Sequence, residues 1–437
     1  MANNIREIVL DALLVLERGT AYSSQIIKAV LDKYDYLPEQ EKRFVKRLTE
    51  GCVERRIELD YILDRYSTVP ANRMKPVIRC LMRMGVYQLL YMDGVPDSAV
   101  CNEAVKLAGK RKFVNLKGFV NGVLRKIASQ KGNIPLPDVD AEPVRALSVQ
   151  YSMPEWIVRL WLEEYGREQT CGLLECLLEV RPVTVRFAPR VTPQQRQGYI
   201  DSWQATGVRV TQSEYLEYAY YLEGVGGVAS LKGYDEGAFV VQDVSSMLCV
   251  EAAGLREGDI VMDVCAAPGG KALLAAQTAA HVLARDVSEK KLQRMRENVQ
   301  RMGLEHRVTT QLWDATEIDE NRIESADAVF MDVPCSGLGV LGKKRDIKYH
   351  VTPESLESLI QLQRRIIQGS WQYVKPGGVL IYSTCTINRR ENEEACRFIC
   401  DHYPFTLEES RQLMPQEAHQ DGFFYARLRR RPTEFQG

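Results

Sequence analysis

Two short segments, Asp332-Val333-Pro334-Cys335-Ser336-Gly337 and Ser383-Thr384-Cys385-Thr386, each close an apolar run with the composition of a buried strand. A single thiol at a strand end is usually a packing residue. Two of them on neighbouring strand ends, beside the carboxylate of Asp332, point to thiolate chemistry. Upstream, another strand runs into Cys265-Ala266-Ala267-Pro268-Gly269-Gly270-Lys271. Small residues and two glycines let the backbone approach a ligand closely, and the helix start that follows favours negative charge. The segment lacks the G-x-x-x-x-G-K-[ST] spacing of a phosphate loop, which disfavours nucleoside triphosphate hydrolysis. Asp286 ends the next strand, 17 residues after Gly269, where a carboxylate can accept hydrogen bonds from both hydroxyls of a ribose. Asp314 ends the strand after that, in reach of an adenine amino group. Each aspartate alone reads as a cap or turn residue. Together, on successive strand ends beside a glycine loop, they favour an adenosine cofactor.

The elements that must position these residues alternate regularly. Strands are expected at 259–264, 281–286, 308–313, 326–333 and 377–383, with helices at about 270–279, 288–302, 354–373 and 391–402. Such alternation predicts a parallel α/β sheet covered on both faces, with ligands bound beyond the carboxyl ends of its strands. The last two strands should be adjacent, which brings Asp332, Cys335 and Cys385 to one cleft. This domain is expected over 237–437. Residues 1–131 read as an all-α domain, with an i, i+3/i+4 apolar pattern as in Val77-Leu81-Met84-Leu89. The stretch 132–144 reads as a linker, because NIPLPDVDAEP holds three prolines. Residues 145–236 read as a small α+β domain, with a helix at 154–178 and a strand at 182–189.

The 437 residues carry a net charge of −1 that hides an asymmetry. Residues 1–131 hold 23 Lys/Arg against 15 Asp/Glu. Lys106, Lys110, Arg111, Lys112, Lys117, Arg125, Lys126 and Lys131 crowd into 101–131 against Glu103 alone. One charge run is more often a solvated helix face than a binding site. Beside a catalytic half of this kind it reads as the footprint of a polyanion such as RNA. The 11 cysteines are an odd number spread through a large chain without a Cys-x-x-Cys pair, and the five histidines are scattered. A disulfide scaffold and a metal site are therefore both disfavoured. No apolar run reaches the roughly 18–20 residues that span a bilayer. The N-terminal segment reads as an amphipathic helix through Ile5, Val9, Leu13 and Leu16 rather than a signal peptide, so a cytoplasmic location is expected.

CAAPGGK, DVPCSGLG and YSTCT, in this order, resemble the RNA cytosine-C5 methyltransferase family, and GAFVVQDVSSML (237–248) looks like its lead-in to the catalytic domain. VPDSAVCNEAVKLA (95–108) and FVNGVLRKIA (119–128) resemble a NusB-type RNA-binding helical domain. The combination is similar to bacterial enzymes acting on 16S ribosomal RNA and covers nearly the whole chain. The resemblance implies a class I (Rossmann-like) methyltransferase domain behind an all-α NusB-like domain and a small α+β domain. It also implies S-adenosylmethionine as cofactor, 16S ribosomal RNA as partner and a monomer.

Residue by residue, it implies that Cys265, Ala266, Ala267, Pro268, Gly269, Gly270 and Lys271 hold the methionine and ribose portions of the cofactor. Asp286 would take the ribose and Asp314 the adenine. Asp332 would bond the target cytosine or the cofactor's amino group. Cys385 would be the nucleophile and Cys335 would assist product release, while Lys271 lies at the active-site edge. Lys106, Lys110, Arg111, Lys112, Lys117, Arg125 and Lys126 would meet RNA. The chain departs from the family pattern at Arg345 and Arg389, where proline is common, and at Arg186-Phe187-Ala188 in place of Arg-x-Asn. A DNA cytosine methyltransferase would instead use Cys335 as nucleophile, against which the Thr384-Cys385 motif and the basic helical domain both argue. Another ribosomal or transfer RNA target, or a non-catalytic assembly or antitermination factor, is the competing reading. The intact set Asp286, Asp314, Asp332, Cys335 and Cys385 favours the enzyme.

Overall fold

The computed structural model describes residues 4–19, 21–417 and 419–432. The first three residues of the expected all-α domain and the last five of the expected catalytic domain lie outside these. The chain divides into two compact units. One comprises residues up to Leu178 together with Lys343–Val351, and the other comprises Glu179–Gly342 and Thr352 onward.

The first unit is helical: α1 (Ile5–Leu16), α2 (Ser23–Lys33), α3 (Glu39–Glu54), α4 (Arg56–Tyr66), α5 (Pro76–Tyr91), α6 (Asp97–Lys110), α7 (Lys117–Ala128), α8 (Pro143–Gln150) and α9 (Glu155–Cys176). Its core forms where the apolar stripes meet, with Val9, Leu48, Leu59, Leu81, Leu107 and Leu124 at or near zero exposure. α5 lies at the centre and buries nearly every turn, as Pro76 at its first turn and the run from Ile78 to Leu89 dictate. The expected helix at 154–178 forms as α9, but Gly166 interrupts it with φ 74°, a left-handed conformation that glycine tolerates.

The boundary expected at 145 is displaced. α8 and α9 belong with the helical unit, because Ser152 Oγ accepts from the backbone N–H groups of Ile57 (2.9 Å) and Glu58 (3.4 Å) at the start of α4. These are orphan donors of a helix end, satisfied here from a residue distant in sequence.

The second unit starts with an antiparallel sheet in the order β2-β3-β1-β4, made of β1 (Val183–Phe187), β2 (Arg209–Gln212), β3 (Ala219–Glu223) and β4 (Phe239–Val241). α10 (Pro193–Ala205) covers it, held by a Thr192/Gln195 capping box, and stacks Trp203 on Phe187 at 5.5 Å. β4 lies past the expected boundary at 236, since its ladder partner is β1.

α11 (Val244–Glu251) then leads into a seven-stranded sheet in the order β10-β11-β9-β8-β5-β6-β7. Its elements are β5 (Ile260–Asp263), α12 (Gly270–Ala275), β6 (His281–Asp286), α13 (Glu289–Met302), β7 (Val308–Leu312), β8 (Ala326–Asp332), α14 (Pro353–Ser370), β9 (Val374–Thr384), α15 (Glu393–His402), β10 (Phe405–Leu413) and β11 (Phe423–Arg430). β5 to β9 are mutually parallel, and β8 and β9 are neighbours as the sequence predicts. Val261, Phe330 and Ile381 face one apolar layer while Met262, Val329, Leu380 and Tyr382 face the other. Both faces are thus buried, the condition for a parallel sheet. The sheet is nonetheless mixed, not purely parallel: β11 runs antiparallel to β9, and β10 antiparallel to β11. Among the described residues no helix is long and apolar enough to cross a membrane.

Candidate active site

Register explains why the chemistry converges. Asp332 at the end of β8 is the ladder partner of Ser383 on β9. Side chains at paired positions of one face meet, and Ser383 Oγ donates to Asp332 Oδ1 at 2.9 Å. Three residues past Asp332 and two past Ser383, Cys335 and Cys385 bring their sulfurs to 3.2 Å. Lys271 reaches the same place from α12, its Nζ 2.7 Å from Asp332 Oδ2. Burial pulls the Lys271 ammonium down, but Asp332 and the neighbouring Cys249 and Asp263 outweigh it and hold the group charged. A buried cation on a half-buried carboxylate, with a hydroxyl on the second oxygen, fixes Asp332 in one orientation. Cys335 is pushed well up by its bond to Cys385 and by burial, so it stays a thiol.

The loop Cys265–Lys271 follows β5 and contains a cis Ala267–Pro268 bond. Gly269 has φ 106°, and a Cβ there would stand 2.9 Å from Met295 Cγ, so glycine is required on two counts. Asp286 Oδ2 accepts from Ala267 N at 3.3 Å and Oδ1 from Ser288 N at 2.9 Å, which ties this loop to the end of β6. Asp314 is exposed and takes the turn role: its Oδ1 accepts from Thr316 N (2.9 Å) and Thr316 Oγ1 (2.7 Å), and these bonds hold the carboxyl below its usual range. Cys265 is pushed well up by burial, so it presents an inert thiol.

Several residues of the site were not visible in the sequence reading. Asp263 is 1% exposed, both its oxygens lack a hydrogen-bond partner, and burial followed by the charge of Asp332 raises its carboxyl to about 7. Gln242 lies against the Cα of Gly270, with its Cδ 3.4 Å from where a Cβ would be. Glu391 sits buried behind Cys335. Nothing short of the fold reveals these partners, although Asp263 stands at a strand end where an acid is informative.

The loop fits an adenosyl amino-acid sulfonium. Its ammonium and sulfonium charges suit a place lined by Asp263, Asp286 and Asp332, and the orphaned oxygens of Asp263 need a donor.

The basic residues of 101–131 are unequally available. Lys110 and Arg111 pair with Glu7 (2.5 and 3.3 Å), Arg111 also with Asp11 (2.6 Å), and Lys106 with Glu103 (2.7 Å). Arg125 bonds Asn121, and Lys126 lies over the Tyr66 ring. Lys112 and Lys117 have no ion-pair partner among the described residues. The departure at Arg345 has a structural use in the helical unit, where its guanidinium pairs with Glu54 at 3.2 Å. Arg186 is fully buried, donating Nε to Gln242 Oε1 at 2.6 Å.

Comparison with known proteins finds relatives along nearly the whole chain. Residues 251–429 match the family described as 16S rRNA methyltransferase RsmB/F, and residues 3–129 match the NusB family. The chain is similar to the probable ribosomal RNA small subunit methyltransferase B of Bacillus subtilis, with 33% identity over 98% of this chain and 99% of that protein. It is also similar to ribosomal RNA small subunit methyltransferase B of Proteus mirabilis, with 30% identity over 98% and 99%. Among solved structures, that of PH0851 superposes with a TM-score of 0.81 at 22% identity over 98% of this chain and 99% of that one. NSun6 from Pyrococcus horikoshii, solved with SFG, superposes at 0.57 and 21% over 63% of this chain and 98% of that one. Both structural likenesses speak to the fold alone.

Proposed function

We propose, from the premise that this chain belongs to the 16S rRNA methyltransferase RsmB/F family, that it methylates carbon 5 of a cytosine in 16S ribosomal RNA through a covalent adduct on Cys385. It is an S-adenosylmethionine-dependent methyltransferase with a NusB-like helical region. The observation that supports the adduct is the pair of sulfurs 3.2 Å apart beside an Asp332 locked by Lys271 and Ser383.

Carbon 5 of cytosine is a poor nucleophile. The Cys385 thiolate adds to carbon 6, forming an S–C6 bond and moving the ring electrons toward carbon 5 and N3. Asp332, held in place, accepts from the exocyclic N4–H and so fixes the ring over Cys385. The Cys265–Lys271 loop with Asp286 and Asp314 would hold S-adenosylmethionine, which would supply the electrophilic methyl group. Cys335, kept as a thiol, serves the release limb: once the carbon-5 proton has gone to a base, the S–C6 bond breaks and the aromatic ring returns. The base must leave its stack to meet these groups, which favours single-stranded or loop RNA. The basic residues around Lys112 and Lys117 supply attraction for the phosphate backbone.

The test is methyl transfer from labelled S-adenosylmethionine to unmodified 16S ribosomal RNA, with nucleosides identified by mass spectrometry. Wild type is expected to yield 5-methylcytidine, Cys385→Ala none, and Cys335→Ala a protein–RNA adduct stable to denaturant. Methylation by Cys385→Ala overturns the nucleophile assignment. Methylation of transfer RNA but not 16S RNA overturns the target.

A further inference from the structure

Behind the two thiols lies a carboxylate that the mechanism above does not use. Glu391 belongs to the charged run Arg389-Arg390-Glu391-Asn392-Glu393-Glu394, yet it has zero exposure. Its oxygens take Ser336 N at 2.8 Å, Ser336 Oγ at 2.5 Å, Gln363 Nε2 at 3.0 Å and Asn388 Nδ2 at 3.3 Å. The backbone and amide groups among these can only donate, which is the complement of an ionised carboxylate and not of a protonated one. Burial raises the Glu391 carboxyl above its usual range, and these four donors offset only part of that rise.

The same group spans both thiol-bearing turns. Ser336 directly follows Cys335, and its Oγ lies 2.8 Å from Thr386 Oγ1, which directly follows Cys385. Asn388 N donates to that Thr386 hydroxyl at 3.3 Å, and Tyr382 OH donates to the Glu391 carbonyl at 2.8 Å. Removing Glu391 therefore unfastens the Cys335 turn from the Cys385 turn.

We propose that Glu391 is a positioning residue for the methyl transfer: its carboxylate fastens the Cys335 turn to the Cys385 turn and, as a fixed negative charge on the Cys335 side, reserves the thiolate for Cys385. The proposal rests on the two-thiol reading of the reaction. Two sulfurs at 3.2 Å cannot both ionise cheaply, so the local field decides which one does. Glu391 contacts the residue next to Cys335, and its charge is among the causes that keep the Cys335 thiol high, after the bond to Cys385 and burial.

The alkylation arm of the test needs neither RNA nor cofactor, so its outcome is independent of the adduct mechanism. In a Cys385→Ser background, the rate of Cys335 alkylation by iodoacetamide is followed against pH by peptide mass spectrometry, with and without Glu391→Gln. Removing one negative charge should lower the midpoint by about one to two pH units. Asn388→Ala, which removes one donor and no charge, should leave the midpoint in place. Glu391→Asp keeps the charge but retracts it by one methylene. In an otherwise wild-type chain it should lower kcat at least tenfold with the Kd for S-adenosylmethionine unchanged, and in the Cys385→Ser background it should keep the high midpoint. An unmoved midpoint in Glu391→Gln overturns the electrostatic role. Should that variant fail to fold, a midpoint in Glu391→Asp equal to that of a free thiol overturns it. Wild-type kcat in Glu391→Asp overturns the fastening role. Retained methylation by Cys385→Ala would sink the two-thiol reading and leave the alkylation result to stand by itself.

Discussion

Gly339→Ala should disable methyl transfer without touching cofactor binding. Gly339 sits four residues past Cys335, where its chain crosses that of Gly422: a Cβ at 339 would lie 1.9 Å from the Gly422 carbonyl oxygen and 2.9 Å from its Cα. That is roughly 1.5 Å inside ordinary van der Waals contact. The obstacle is backbone, so no rotamer change relieves it. Two hydrogen bonds hold the crossing, Gly422 N to Gly339 O at 2.9 Å and Gly339 N to Cys385 O at 3.1 Å. Overpacking costs about 1–3 kcal/mol, and losing both hydrogen bonds about 1 kcal/mol each, for a total of about 3–5 kcal/mol. For a unit of this size that lowers Tm by roughly 10 °C. A shift of about 1 Å at the Cys385 carbonyl misplaces the thiol enough to cost about 100-fold in kcat. The assays are thermal unfolding, single-turnover methyl transfer and calorimetric titration with S-adenosylmethionine, whose loop lies on β5 and not at this crossing. Gly122→Ala is the control: nothing lies within 4 Å of its Cβ position on α7, and it should be stabilised by up to about 1 kcal/mol. Unchanged Tm and kcat in Gly339→Ala would refute the steric reasoning. A Kd for the cofactor that weakens in step with kcat would refute its localisation.

The buried Asp263, raised from 3.8 to about 7, makes the cofactor-free protein pH-sensitive. A carboxyl whose folded pKa lies above the unfolded one contributes stability below the unfolded value and loses it as pH rises through the folded value. The unfolding free energy of wild type relative to Asp263→Asn should therefore fall between about pH 4 and pH 8, by at most about 4 kcal/mol, and a flat difference would contradict it. Ser152→Ala leaves the N–H groups of Ile57 and Glu58 without their acceptor and should cost about 1–2 kcal/mol by denaturant titration, whereas no shift would show that water replaces it. Lys112→Gln with Lys117→Gln should weaken RNA binding and reduce the slope of log K against log salt by about 1.5, and an unchanged slope would remove both from the phosphate contacts.

Residues whose place follows from the local sequence pattern were legible without the fold. Asp332, Cys335, Cys385, Asp286 and the Cys265–Lys271 loop all stand where an apolar strand pattern stops, and in a parallel sheet those places lie side by side at one edge. Alternation of period-2 and helical segments likewise predicted β5 to β9 and their order of succession. Asp314 lies past the end of β7, which stops at Leu312, and its bonds to Thr316 are those of a turn.

What depends on long-range partners was not legible. β10 is an edge strand whose middle, Thr406–Arg411, is exposed throughout, so it has no buried face to betray it. The segment Lys343–Val351 carries no local sign of burial, yet Asp346 and Lys348 are buried in the helical unit, Asp346 accepting from Ser23 N and Lys348 donating to the Glu54 carbonyl at 2.9 Å. The same holds for Glu391, 55 residues from the Ser336 it holds. A local pattern records whether a residue type suits a strand or a helix. Only the tertiary structure decides whether a charged side chain meets water or meets four donors, because that choice is made by chain segments that are far apart in sequence.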